Sequence, residues 1–173
     1  MIFTVVKDPI PFLIIDDTYN KEEQTQIYQE LDFLVDKLQG PDKTGTALLD
    51  GKKKNNKGVF LNNVFSDLNF SNIAKTNRKI FNKEIKEKLF ECHYAYRLFN
   101  NTNFDNTLLS YYDNGGSYFS HYDETAITVI TWFFKKNTYE AISLYIIIIK
   151  EQNSYNINSV ITALLSYIYA IMN

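Results

Sequence analysis

Leu109-Ser110-Tyr111-Tyr112-Asp113-Asn114-Gly115-Gly116-Ser117-Tyr118-Phe119-Ser120-His121-Tyr122-Asp123 is the stretch on which the fold turns. Aromatic-rich runs flank Asn114-Gly115-Gly116, and that punctuation predicts strands over 107–113 and 117–123 with a tight turn between them. Residues two apart in a strand project to the same side. His121 and Asp123 therefore present an imidazole and a carboxylate together. One nitrogen and one oxygen donor at adjacent corners suit a divalent metal of intermediate hardness.

Further short strands are predicted on either side, over 92–99, 126–134, 144–149 and 155–162, several with period-2 alternation. Upstream, Pro11-Phe12-Leu13-Ile14-Ile15 reads as a buried strand closed by Asp16 and Asp17. Asn20 stands three residues before Glu23, the spacing of a capping box. Behind it Ile27, Leu31, Leu34 and Leu38 form one helical stripe, and Gly40-Pro41 ends it. The polar stretch 42–58, with Lys52-Lys53-Lys54, predicts a surface loop or flap in which the lysines form a solvated face. A long loop of this kind is where substrate contacts are expected. Val59-Phe60-Leu61 predicts a short strand. A second amphipathic helix is expected over 72–89, burying Ile73, Ile80, Phe81 and Ile85. Helices followed by a run of strands indicate an α+β chain built on an antiparallel sandwich, one domain over residues 1–173.

Composition narrows the function classes. The 173 residues carry 18 Lys+Arg against 20 Asp+Glu, a formal charge of −2, which is no electrostatic footprint for nucleic acid. Hydrophobic residues at 45% and charged residues at 22% describe a globular domain, not a disordered or fibrous one. Thirteen Tyr and 13 Phe lean the chain towards β structure. A single cysteine, Cys92, excludes an internal disulfide and a cysteine-based metal site. The apolar start Met1–Val6 is cut short by Lys7, Asp8 and Pro9, and no apolar run reaches the ~20 residues of a membrane span. The expectation is a cytoplasmic protein with no membrane partner.

The run Y-x(3)-G-x(2)-Y-x(2)-H-x-D, from Tyr111 through Gly115 and Tyr118 to His121 and Asp123, resembles the 2-oxoglutarate/Fe(II)-dependent dioxygenases, in particular the prolyl 4-hydroxylase-like branch. Pro11–Asp17 with the capped helix behind it is similar to that branch's opening. Ile127-Thr128-Val129-Ile130-Thr131-Trp132-Phe133 is similar to the strand after its metal motif. The resemblance covers residues 10 to 140. It implies a double-stranded β-helix (jelly roll) with N-terminal helices packed on one sheet. It also implies Fe(II) and 2-oxoglutarate as cofactors, with ascorbate as an accessory reductant. The implied reaction is hydroxylation of a prolyl or similar side chain of a peptide or protein. By position His121 and Asp123 would be the metal ligands, and Tyr111 would donate its hydroxyl to the distal carboxylate of 2-oxoglutarate. Tyr118, on the opposite strand face from His121, would pack.

The chain departs from the pattern in its later part. The family places a second metal histidine on a later strand, but the only other histidine is His93, upstream, where a structural role is expected. Ser166-Tyr167-Ile168-Tyr169-Ala170 is similar to the segment carrying that ligand, with Ala170 in its place. Ala141-Ile142-Ser143 replaces the family's Gly-Gly-Asp. The basic residue that anchors 2-oxoglutarate is expected beyond Ala170, so the resemblance predicts a roll with its final strands missing. A second expectation follows: a catalytically silent jelly-roll module that binds without turnover. A generic sandwich with no site is the third.

Overall fold

Two short apolar runs near the start, Ile2–Val6 and Phe12–Ile15 with Asp16 behind it, form the first hairpin. In the computed structural model, which describes residues 1–8, 11–44, 48–49, 52–53, 55–102, 104–112, 127–133 and 143–149, β1 (Ile2–Val6) pairs antiparallel with β2 (Phe12–Asp16). The expected strand at Pro11–Ile15 is therefore present. β1 was not foreseen, because an apolar run of that length says nothing about a pairing partner. β8 (Ser143–Ile149) lies along the other edge of β2, and β7 (Ile127–Phe133) lies beyond it, so the sheet order is β1-β2-β8-β7. β2 is interior to this sheet, and Phe12, Leu13, Ile14 and Ile15 are all buried. An uninterrupted apolar run is what a strand covered on both faces requires.

Register aligns Val5, Leu13 and Val129 across one face of the sheet. The helices pack there. α1 (Lys21–Leu34) starts with the expected capping box: Asn20 Oδ1 accepts the Glu23 N–H at 2.9 Å, and Glu23 Oε2 accepts the Asn20 N–H at 3.0 Å. Ile27 and Leu34 are fully buried and join one core with Leu13, Ile15, Ile85, Leu89 and Tyr96. Each such aliphatic side chain contributes roughly 1.5–3 kcal/mol by leaving water. The α-helix ends at Leu34 and tightens into a 3-10 turn at Val35–Lys37, before Gly40-Pro41 is reached.

Two expectations are corrected here. The predicted helix 72–89 is broken into α2 (Asn72–Asn77), a 3-10 turn (Arg78–Phe81) and α3 (Lys83–Cys92). Asn82 causes the break. Its backbone is extended, its Oδ1 accepts the Ile85 N–H at 2.9 Å, and its amide donates to the Lys79 carbonyl at 2.8 Å. Such a side chain competes with the helical ladder and starts a new helix. The predicted strand 92–99 is instead the last residue of α3 followed by a 3-10 helix, Tyr94–Asn101. Tyr96 and Phe99, three apart, are buried, while Tyr94 and Leu98 face out. Phe81 stacks on Phe99 with ring centroids 5.0 Å apart, and the Tyr96 hydroxyl donates to the Pro11 carbonyl at 2.8 Å.

The polar stretch 42–58 is not wholly loop. Leu48–Leu49 (β3) and Lys52–Lys53 (β4) form a two-stranded ribbon. β5 (Lys57–Phe60) then pairs antiparallel with β6 (Leu108–Tyr111). The expected strands at 59–61, 107–113, 126–134 and 144–149 thus correspond to β5, β6, β7 and β8. Those at 117–123 and 155–162 lie outside the described residues. The described part is a mixture of helices and small antiparallel sheets.

Candidate functional site

β6 is a strand because Leu108 and Leu109 supply the apolar, pleated surface that β5 matches with Phe60 and Val59. The two strands approach closely. At Gly58 a Cβ would stand 2.8 Å from the Leu109 carbonyl oxygen, so only glycine fits without moving the backbone. Gly58 and Gln39 exchange a pair of backbone hydrogen bonds, both 2.8 Å, which ties the exit of α1 to the far edge of β5.

Tyr111 closes β6 opposite Lys57. Alternation places it on the side that carries Val59, which is buried, and Leu109, which packs against the core. Because it ends the strand, its ring runs out of the core and is half exposed, at 48%. The hydroxyl bonds to no described residue. His121, Asp123, Tyr118 and Ala170 lie outside the described residues. The interval that contains the first three connects the end of β6 to the start of β7 at Ile127.

Among the described residues no group of three His, Cys, Asp or Glu side chains stands close enough to hold a metal ion. His93 takes the structural role expected of it. Its Nδ1 accepts the Ala95 N–H at 3.3 Å at the start of the 3-10 helix, and its ring lies 4.4 Å from that of Tyr94. Buried Glu30 is engaged as well: Ser71 Oγ and the Asn72 N–H donate to it at 2.5 Å and the Ile73 N–H at 3.1 Å. A ligand pair of one imidazole and one carboxylate, as the sequence supplies, fits two corners of an Fe(II) coordination sphere and leaves the others to small oxygen ligands.

One group near Tyr111 carried no signal in the sequence. Asn56 is buried, and neither its Oδ1 nor its Nδ2 makes a hydrogen bond of acceptable length and angle. The Tyr112 hydroxyl is close enough to feel it without closing such a bond. Burial raises the Tyr112 proton affinity, and Ser110 and Asn56 oppose that rise. An unmatched buried amide costs roughly 1–3 kcal/mol. Only the β5–β6 register brings residues 56 and 112 together, so no local motif could have paired them. Elsewhere, a cleft of about 490 Å³ lies between the end of α1 and β5, lined by Phe33, Lys37, Leu38, Gln39, Val59 and Val64 among others. No described helix is long and apolar enough to cross a membrane. No known family model, curated protein or solved structure matches the chain.

Proposed function

We propose that this chain is an Fe(II)/2-oxoglutarate-dependent oxygenase domain of double-stranded β-helix fold, acting on a prolyl or similar side chain of a peptide or protein. The observation that carries the reading is the Tyr111-to-Asp123 spacing, Y-x(3)-G-x(2)-Y-x(2)-H-x-D. The half-exposed position of Tyr111 at the end of β6 supports it. His121 and Asp123 would hold the metal. When bound, Fe(II) with 2-oxoglutarate and O2 would supply the chemistry: one oxygen atom goes to the 2-oxo acid as it loses CO2 to become succinate, and the other hydroxylates an unactivated C–H bond. The Tyr111 hydroxyl would donate a hydrogen bond to the distal carboxylate of 2-oxoglutarate and so fix the direction in which it lies.

A second reading is favoured by one residue. Ala170, where the resembled family has its second histidine, leaves the metal with two protein ligands, which points to a silent binding module. Fe(II) titration and succinate release separate the two. The expected result is weak Fe(II) binding that His121→Ala or Asp123→Ala abolishes and Ala170→His tightens, with slow succinate formation. Tyr111→Phe should raise the 2-oxoglutarate concentration needed more than the Fe(II) concentration. Metal binding without any succinate would move the chain to the silent module. Metal binding that survives both ligand substitutions would sink both readings.

A further inference from the structure

The edge of β5 away from β6 borders the cleft beside α1. Just past β5 the Leu61 N–H donates to the Thr107 carbonyl, so in the same register Lys57 and Val59 also bond towards β6. Gly58 and Phe60 alternate with them and turn their backbone groups the other way. Gly58 exchanges both of its groups with Gln39, each at 2.8 Å. The next rung of that pairing would join Phe60 to Lys37. It is not made, because Val35–Lys37 winds into a 3-10 turn and the chain is extended again only from Leu38. Phe60 caps the following 3-10 turn, Leu61–Asn63, and a cap's carbonyl accepts the first bond of its turn. Its N–H is left without a partner among the described residues. The cleft of about 490 Å³ lies where these two segments part.

We propose that this cleft binds a small free monocarboxylic acid with an aromatic body. Leu38, Val59, Phe60 and Val64 give it an apolar lining, and the Phe33 ring beside them is 54% exposed. A ligand ring can stack on Phe33 and cover it. The Lys37 ammonium stands 4.5 Å from the centroid of that ring, and Lys43 lines the same cleft. Neither lysine forms an ion pair among the described residues. Asp36 supplies the one carboxylate of the lining, so a single net positive charge remains, matched by one anionic group. A carboxylate accepts from an ammonium and from a backbone N–H alike, and charge strengthens both bonds. The volume falls in the range of small-molecule pockets, roughly 300–1,000 Å³. An added peptide strand would need alternating free N–H and C=O groups along the edge, and Phe60 offers one N–H. Tyr111, His121 and Asp123 take no part in this site.

The test titrates the full chain, without metal, with 2-naphthylacetate and follows the Phe60 amide in a nitrogen–proton correlation spectrum. A saturable shift of that signal is expected. The neutral analogue 2-naphthylacetamide keeps the ring and loses the charge, and should bind roughly tenfold more weakly. Lys37→Met and Lys43→Met keep the side-chain stem, and each should weaken the acid roughly threefold without changing the amide's affinity. Both lysines are exposed, so both variants are expected to fold, and thermal unfolding checks it. A Phe60 signal that stays put at millimolar acid overturns the proposal. Equal affinity for acid and amide does so too, as does an unchanged affinity for the acid in both folded lysine variants. Tighter binding of acetyl-Gly-Gly-Phe through its free terminus would make the occupant a peptide end, and the proposal would fall. Tighter binding of 2-oxoglutarate at Phe60 would remove the need for an aromatic body and would likewise overturn it. Fe(II) binding or its absence bears on the oxygenase reading alone.

Discussion

Glu30 shows how one side chain joins two elements. It sits in the third turn of α1 and is buried, yet its carboxylate receives the Ser71 hydroxyl and the first N–H groups of α2. Those N–H groups have no partner inside their own helix, and a negative charge is favourable at that end. Glu30→Ala removes the acceptor and leaves the donors buried. The expected loss is about 2–3 kcal/mol, read as a lower urea midpoint with an unchanged slope. Glu30→Gln should lose less, since one acceptor oxygen remains. Cys92 makes the opposite case of a group without chemistry. Burial pushes its thiol up to about 11, against a smaller opposing effect of the Val6 backbone, and its S–H donates to the Phe12 carbonyl at 3.3 Å. A thiol of that kind is almost wholly protonated at pH 8. Its reaction with a disulfide reagent should be at least tenfold slower in the native chain than in the urea-unfolded one. Equal rates would mean that α3 opens readily.

Among elements, β5 and β6 bear most directly on the candidate site, because their pairing sets both Tyr111 and the Asn56–Tyr112 pair. Gly58→Ala would place a methyl group 2.8 Å from the Leu109 carbonyl oxygen and 3.4 Å from Leu108 Cδ1. Backbone on one side leaves no flexible tip to yield. The expected cost is about 1–3 kcal/mol, with amide-exchange protection lost first at Val59 and Leu109. Protection lost first in α1 would show that the strand pair is not where strain collects. The helices differ in how far sequence alone reveals them. α1 announces its start through Asn20 and Glu23, since both capping partners are four residues of one chain segment. The break at Asn82 is harder to read, because Ile73, Phe81 and Ile85, eight and four apart, keep a helical spacing straight through it.

At the scale of the molecule, acid sensitivity has two opposing sources. Burial pushes the Glu23 carboxyl up, but the Lys79 ammonium and the Asn20 N–H outweigh it and hold the group below its ordinary 4.5. That contribution is present above 4.5 and is lost as pH falls through the lower native value. Asp16 goes the other way: burial, then the Asp17 charge, raises it above 3.8, so its ionisation weighs against the fold as pH rises. Asp16→Asn should therefore raise the melting temperature at pH 7 more than at pH 3, and Glu23→Gln should lower it at pH 7 more than at pH 3. A constant difference across that range would refute both assignments. By itself the sequence determined the elements whose signals are local: the capped α1, the buried run of β2, the period-2 strands of β6 and β7, and the spacing that nominates Tyr111, His121 and Asp123. Tertiary structure decided the rest. Cys92–Phe99 carries aromatic alternation that suits a strand, yet burying Tyr96 and Phe99 against α3 and Phe81 winds it into a 3-10 helix. Glu30 meets Ser71 across 41 residues, and Asn56 meets Tyr112 only through register. Pairings of that kind depend on which surfaces close on one another, and no window of sequence holds both partners.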